Sequence, residues 1–135
     1  MAEALKKVLV VDDEPDAVEF VTEILTDLEG YSVISAEDGI KGLEKARAEE
    51  PDLIILDIQM PKKDGFTVFS DLKRDPATKD IPVIMLTGLT ARTGMKFSAE
   101  DMGEYMDVEP ETYIDKPIDP GELQQAVEKI LGPAS

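Results

Sequence analysis

The chain has 135 residues, of which 42% are hydrophobic and 33% are charged, and this fits one soluble globular domain over residues 1–135. Its formal net charge of −16 disfavours direct binding to nucleic acid and to anionic membranes. The absence of cysteine and histidine excludes disulfides, thiolate or imidazole metal sites, and catalysis by either side chain, so any chemistry must use carboxylates, hydroxyls, lysine or a bound ion.

Apolar runs alternate with helical patterns along the chain. In chain order we predict strand one over 7–13, a helix over 15–30, strand two over 31–36, a helix over 39–50, strand three over 52–57, a helix over 66–75, strand four over 81–88, strand five over 111–117 and a last helix over 119–131. Asp38 and Asp119 stand where N-caps are favoured, and Gly30 stands where a helix can stop. No apolar run approaches the roughly eighteen residues of a membrane span, and the N-terminal run is too short for a signal peptide.

Strands that alternate with helices predict right-handed crossovers and a parallel five-stranded sheet covered on both faces, which is an α/β fold. The third strand, Leu53 to Leu56, is continuously apolar, as expected of a strand buried on both faces, yet it ends in Asp57. A buried carboxylate is costly unless it is paired or bound to a metal. Asp57 therefore either has a local partner or serves as a functional group at the rim of the core.

Polar groups stand at the ends of four predicted strands. They are Asp12, Asp13 and Glu14 after strand one, Asp57 after strand three, Thr87 after strand four, and Asp115 and Lys116 after strand five. Because the carboxyl ends of parallel strands share one edge of the sheet, we expect these groups to converge. Clustered carboxylates favour a cation with oxygen ligands, and Mg²⁺ fits best. Taken singly, each residue also fits an ordinary role as a helix cap, loop acid, strand hydroxyl or solvated lysine, and the net acidity also fits simple solubility.

Four segments, "VLVVDDEPD", "DLIILDIQMPKKDG", "VIMLTG" and "YIDKPID", resemble the receiver domain of bacterial two-component response regulators. The resemblance covers residues 6–131, and the four segments together are specific although a single one is not. It implies a flavodoxin-like doubly wound (βα)5 fold with strand order 2-1-3-4-5, in a single cytoplasmic receiver domain.

The resemblance also implies a role for each matching acid. Asp57 matches the aspartate that accepts the phosphoryl group. Asp13 and Asp57 would hold Mg²⁺ through their carboxylates, Asp12 would hold it through a water, and Gln59 through its backbone carbonyl.

Four further positions match residues that respond to the phosphoryl group. Thr87 would hydrogen-bond that group, and Lys116 would pair with one of its oxygens. The peptide bond before Pro117 is expected to be cis, and Tyr113 matches an aromatic residue that moves between outward and inward positions.

The implied function is a signal receiver that controls a downstream effector protein. Since the chain has no histidine, its phosphoryl group would come from the phosphohistidine of a sensor histidine kinase or a histidine phosphotransfer protein, or from a small acyl phosphate. We expect a regulatory domain rather than an enzyme, because it would catalyse only its own phosphorylation and slow self-dephosphorylation. Two alternatives stay open: a pseudo-receiver that only binds a partner, and a small Mg²⁺-dependent phosphatase, which the missing second acid after Asp57 disfavours.

Residues 88–111 are longer than the corresponding part of the family pattern. A capping-box pair, Ser98 and Asp101, predicts a helix that begins near Ala99. We expect residues 89–97 to form a mobile loop over the site. Met102, Tyr105 and Met106 would lie on one face of that helix. This face would either pack on the sheet or bind a partner.

Overall fold

A computed structural model of the protein describes residues 6–28, 30–58, 65–87, 111–116 and 118–132. In chain order the strands and helices are β1 Lys6–Val11, α1 Pro15–Thr26, β2 Tyr31–Ala36, α2 Gly39–Glu49, β3 Leu53–Asp57, α3 Gly65–Arg74, β4 Val83–Thr87, β5 Thr112–Asp115 and α4 Pro120–Leu131. Strands and helices alternate from β1 to β4, and residues 88–110 between β4 and β5 lie outside the described ranges. Across the described ranges, every helix is too short or too polar to cross a membrane.

The five strands form one parallel sheet in the order β2-β1-β3-β4-β5, which confirms the predicted topology. The chain runs from β1 outward to β2 and then crosses back to β3 on the other side of β1. The order of the strands therefore reverses between β1 and β3. In open α/β sheets, functional sites lie at the carboxyl ends of the strands beside such a reversal.

Two apolar cores cover the two faces of the sheet. The strand residues alternate between them, so that Leu53 and Ile55 join one core while Ile54 and Leu56 join the other. The first core also takes side chains from α1 and α4: Val21, Ile24, Leu25, Leu123 and Val127. The second takes them from α2 and α3: Leu43, Ala46, Val68, Phe69 and Leu72. With both faces covered, β3 is a rigid support for the residue at its end.

The predicted elements are correct in type, but several of their ends are wrong. Helix α1 stops at Thr26 rather than at residue 30, because the Leu28 amide bonds to the Leu25 carbonyl in a tightened last turn. Gly30, with a φ of 92°, then turns the chain into β2. Among the described residues, β1 begins one residue earlier than predicted, and the predicted strand positions that lie outside the strands are Asp12, Asp13, Asp52, Ile81, Pro82, Glu111 and Lys116.

The two predicted caps differ in outcome. The Asp38 side chain accepts a hydrogen bond of 2.8 Å from the Lys41 amide, which confirms its predicted role at the start of α2. Asp119 occupies the N-cap position of α4 as predicted, but its side chain makes no capping hydrogen bond. Pro120 at the first helical position supplies the helical φ angle and removes one amide that a cap would otherwise satisfy.

Candidate functional site

Three carboxylates meet at the carboxyl edge of the sheet. Asp12, Asp13 and Asp57 each offer an oxygen, and these oxygens lie within 4.8 Å of one another. Asp12 is only 1% exposed and Asp57 only 3%, whereas Asp13 is half-buried. Asp57 lies 44 positions after Asp13 in the chain. The two acids meet because β1 and β3 are neighbours in the sheet.

A lysine from β5's end bridges two of these acids. The Lys116 Nζ lies 3.2 Å from Asp12 Oδ2 and 3.2 Å from Asp57 Oδ1. The Lys116 amide also donates to the Thr87 carbonyl at 2.7 Å, which fixes the backbone of the lysine against β4. One ammonium group thus pairs with two of the three carboxylates, so the cluster keeps an excess of negative charge.

The environment of Asp57 favours its neutral form. Burial, and then the nearby negative charge of Asp12, raise the pKa of Asp57 from 3.8 to about 6, although the Lys116 ammonium acts in the opposite direction. For Lys116, burial lowers the pKa, but the charges of Asp57 and Asp12 outweigh it, so the pKa of the ammonium is raised. Asp57 is therefore a carboxylate that gains from an additional cation.

Asp12 is oriented by the backbone that follows it. The Glu14 amide donates to Asp12 Oδ1 at 3.0 Å, which leaves Oδ2 to face Lys116. Glu14, not Asp12 or Asp13, holds the N-cap position of α1, and the Glu14 side chain makes no capping hydrogen bond. The interpretation of Asp12 as the N-cap of that helix is therefore wrong: one of its oxygens accepts from the backbone of the N-cap residue, and the other faces the lysine of the site.

Sequence reasoning missed Gly65, which holds the end of β3 in place. Helix α3 begins so close to β3 that a β-carbon on Gly65 would lie 2.4 Å from the Asp57 carbonyl oxygen and 2.6 Å from the Ile58 Cα. The Gly65 amide donates to the Ile58 carbonyl at 2.8 Å, and the Ile58 amide donates to the Leu86 carbonyl at 3.1 Å. Only glycine fits this approach, and the Asp-Gly pair at 64–65 was the available signal.

The end of β4 meets the end of β5 beside the acids. Thr87 is 5% exposed, and its Oγ1 donates to Asp115 Oδ1 at 2.8 Å. Tyr113 is half-buried and packs against the core that α2 and α3 cover. Asp115 was among the predicted strand-end groups, but no sequence pattern indicated that it pairs with Thr87.

The donor set suits a hard divalent cation. Asp12, Asp13 and Asp57 offer only carboxylate oxygens, the ligands that Mg²⁺ takes in proteins, and the cluster carries an uncompensated negative charge. Three predicted features lie outside the described residues: the Gln59 carbonyl, the cis bond before Pro117, and the helix and loop predicted within residues 88–111.

Comparison with curated proteins finds transcriptional regulators. The chain is 39% identical over 127 residues to the DNA-binding dual master transcriptional regulator RpaA of Synechocystis, an alignment covering 94% of this chain and 49% of that protein. It is 37% identical over 130 residues to the alkaline phosphatase synthesis transcriptional regulatory protein PhoP of Bacillus subtilis, with coverage of 93% and 48%. The chain thus spans about half the length of the curated relatives it matches.

Solved structures and a family model agree with this likeness. The chemotaxis protein CheY4 of Vibrio cholerae superposes with a TM-score of 0.79 at 30% identity, covering 95% of this chain and 100% of that one. A putative response regulator from Chloroflexus aurantiacus gives a TM-score of 0.80 at 29% identity, covering 94% and 98%. The model of the response regulator receiver domain matches residues 8–128. By this match over most of its length, the chain belongs to the response regulator receiver domain family.

Proposed function

We propose that this receiver domain accepts a phosphoryl group on Asp57 in a Mg²⁺-dependent reaction and passes the signal to a partner protein. The observation that carries the proposal is the position of Asp57. This carboxylate is almost fully buried at the end of β3, lies near two further acids, and has the Lys116 ammonium 3.2 Å away. The family match supports a place in two-component signalling.

Asp57 is the acid best placed to be the nucleophile. Asp12 has one oxygen engaged by the Glu14 amide and the other by Lys116. Asp13 is more exposed than either of the other two acids. Asp57 is fixed by β3 and by the close approach of Gly65, so its carboxylate has a defined position for an in-line attack.

The chain's own groups account for the steps of the transfer. A carboxylate oxygen of Asp57 forms a bond to phosphorus while the bond from phosphorus to the donor's nitrogen or oxygen breaks, and the leaving group departs with that electron pair. Lys116 offsets the negative charge on the phosphoryl oxygens. Asp13 and Asp57, with Asp12 through a water and Gln59 through its carbonyl, would hold Mg²⁺, which supplies further stabilisation of that charge.

A phosphohistidine donor must lie outside residues 1–135, since these residues contain no histidine. We propose a phosphohistidine of a sensor kinase or of a phosphotransfer protein, with acetyl phosphate as a small substitute in the test tube. The relatives RpaA and PhoP are named as transcriptional regulators, and this chain covers about half of each. For the receiver itself, the net charge of −16 supports a protein effector rather than direct contact with DNA. By analogy with the family, we propose that the domain is cytoplasmic.

The response to phosphorylation is proposed to involve Thr87 and Tyr113. The Thr87 hydroxyl ends β4 at the same edge as Asp57, and Tyr113 lies on the neighbouring strand. A hydroxyl drawn to the new phosphoryl group vacates space that the aromatic ring can fill, which is a local charge event coupled to packing.

Intact-mass measurement tests the proposal directly. Incubation with acetyl phosphate and Mg²⁺ should add the mass of one phosphoryl group to the wild type and none to Asp57→Asn. Omitting Mg²⁺ should prevent the gain in the wild type. If the wild type folds, binds Mg²⁺ and gains no mass, the pseudo-receiver alternative holds instead; a full gain in Asp57→Asn would move the site to another acid.

A further inference from the structure

Thr87 and Asp115 face each other across the last pair of strands. They are register partners at the carboxyl ends of β4 and β5, and the Thr87 hydroxyl donates to the Asp115 carboxylate at 2.8 Å. Thr87 is buried, whereas Asp115 is exposed. A buried hydroxyl is thus held by an acid at the surface.

This pair lies on the same face of the sheet as Tyr113. Side chains two residues apart on a strand share a face, so Asp115 lies on the face of Tyr113, and Thr87 lies on that of Met85. Met85 and Tyr113 are themselves register partners and belong to the same core. The hydrogen bond between Thr87 and Asp115 therefore borders the aromatic residue proposed to move.

The hydroxyl of Thr87 has a single proton to donate. An ionised carboxylate is a strong acceptor, and a phosphoryl group on Asp57 would be another. The hydroxyl cannot donate to both at once. Any equilibrium in which Thr87 binds the phosphoryl group must therefore include the breaking of its bond to Asp115.

We infer that Asp115 is a positioning residue that holds the Thr87 hydroxyl away from the phosphoryl group and so opposes the activated state. The inference rests on the proposed function, in which Thr87 contacts a phosphoryl group on Asp57. It adds a residue that sets how much of the phosphorylated domain is active.

The hydrogen bond is not needed to hold β5 in the sheet. β4 and β5 are paired along four residues, and the Lys116 amide already donates to the Thr87 carbonyl at 2.7 Å. Because the Asp115 side chain is exposed, its replacement leaves no cavity in the core. Variants at Asp115 should therefore fold, and their effects report on the hydroxyl.

The first experiment observes Thr87 in the free protein. With threonine methyl groups labelled by ¹³C, the Thr87 methyl shift should differ between the wild type and Asp115→Ala, because the hydroxyl loses its acceptor and the side chain redistributes among rotamers. Asp115→Asn keeps an oxygen acceptor and should give a smaller change. Glu111→Gln removes the same charge from an exposed residue at the opposite end of β5 and should leave this methyl unchanged.

The second experiment measures affinity for the phosphoryl mimic beryllofluoride in the presence of Mg²⁺. Asp115→Ala should bind it about threefold to tenfold more tightly than the wild type, the effect of losing one competing hydrogen bond. Glu111→Gln should stay within about twofold, the scale of exposed charges.

A double-mutant cycle separates the hydrogen bond from simple charge repulsion. In a Thr87→Val background there is no hydroxyl to hold, so adding Asp115→Ala should change the affinity by less than about twofold. If the gain persists in that background, or if Asp115→Ala alters neither the affinity nor the Thr87 methyl shift, the inference is overturned. If the Thr87 methyl shift differs between the wild type and Asp115→Ala but the wild type binds no beryllofluoride, the proposed function is overturned. The hydrogen bond between Thr87 and Asp115 is then still established.

Discussion

Gly65 and Asp57 approach so closely that any side chain on Gly65 would collide with the backbone of Asp57: an added β-carbon would stand 2.4 Å from the Asp57 carbonyl oxygen. Backbone cannot rotate away as a side-chain tip can, so either α3 or the end of β3 must shift. We expect Gly65→Ala to lower the free energy of unfolding by about 1–3 kcal/mol, the range of overpacked sites. Urea unfolding measures this change.

The same substitution should slow phosphorylation by acetyl phosphate at least about tenfold, because a small displacement of a nucleophile is costly. Gly121→Ala is the matched control, since the nearest atom to an added β-carbon there is the Asp119 side chain at 4.0 Å. That variant should be neutral or more stable, as alanine is favoured over glycine in a helix. Equal behaviour of the two alanine variants would show that the approach of Gly65 does not position Asp57.

The raised pKa of Asp57 predicts a pH-dependent stability without divalent cations. The pKa of Asp57 is about 6 in the folded protein, whereas the ordinary pKa of an aspartic acid is 3.8. Between about pH 4 and 6 the folded state therefore binds more protons than the unfolded state does. The contribution of Asp57 to the free energy of unfolding falls as the pH rises through that window. The full difference, about 2 pKa units, corresponds to up to about 3 kcal/mol.

The asparagine in Asp57→Asn cannot ionise, so the free energy of unfolding of this variant should not show that decrease with rising pH. Both proteins are unfolded with urea in the presence of a chelator. The free energy of unfolding of the variant should rise relative to that of the wild type from pH 4 to pH 7, with little further change above pH 7. Saturating Mg²⁺ at pH 7 should reduce the advantage of the variant, since the cation stabilises the ionised wild type. Two stability curves that run parallel from pH 4 to pH 7 would contradict the raised pKa.

Mg²⁺ affinity should depend on both Asp13 and Asp57. Losing one carboxylate ligand should weaken binding at least about tenfold, the scale of ~1.4 kcal/mol. Titration calorimetry on Asp13→Ala measures this, with Asp16→Ala as the control, because Asp16 is an exposed acid on α1 outside the cluster. If Asp13→Ala binds Mg²⁺ as the wild type does, Asp13 is not a ligand.

The alternation of strands and helices was sufficient to predict a parallel α/β sheet, whereas the strand order 2-1-3-4-5 came from the family resemblance. Local patterns identify each element, and the rule that parallel crossovers are right-handed leaves few arrangements. The apolar run of β3 was also sufficient to single out Asp57, since a carboxylate next to four buried residues needs an explanation. Element ends were less reliable because tightened turns and loop residues decide them, as at Thr26 and Val11.

Contacts between distant segments could not be read from the sequence. The pairing of Thr87 with Asp115 depends on the register of β4 and β5, which are separated by residues 88–111. The approach of Gly65 to Asp57 depends on how closely α3 packs against β3. Both are set by tertiary packing rather than by local preference, and a shift of one residue in register would remove the first contact.

Thr87→Ala should separate phosphorylation from the response to it. Asp57 and Lys116 carry the transfer, so the variant should still gain the mass of one phosphoryl group from acetyl phosphate. Without the hydroxyl, however, nothing draws the end of β4 toward the new group, and the NMR signals of Tyr113 should not change on phosphorylation. Thr22→Ala is the matched control, because that hydroxyl bonds to the Val18 carbonyl within α1, and its Tyr113 signals should shift as in the wild type. If Tyr113 in the wild type shows no shift when Asp57 is phosphorylated, the coupling between the two residues is absent from this domain.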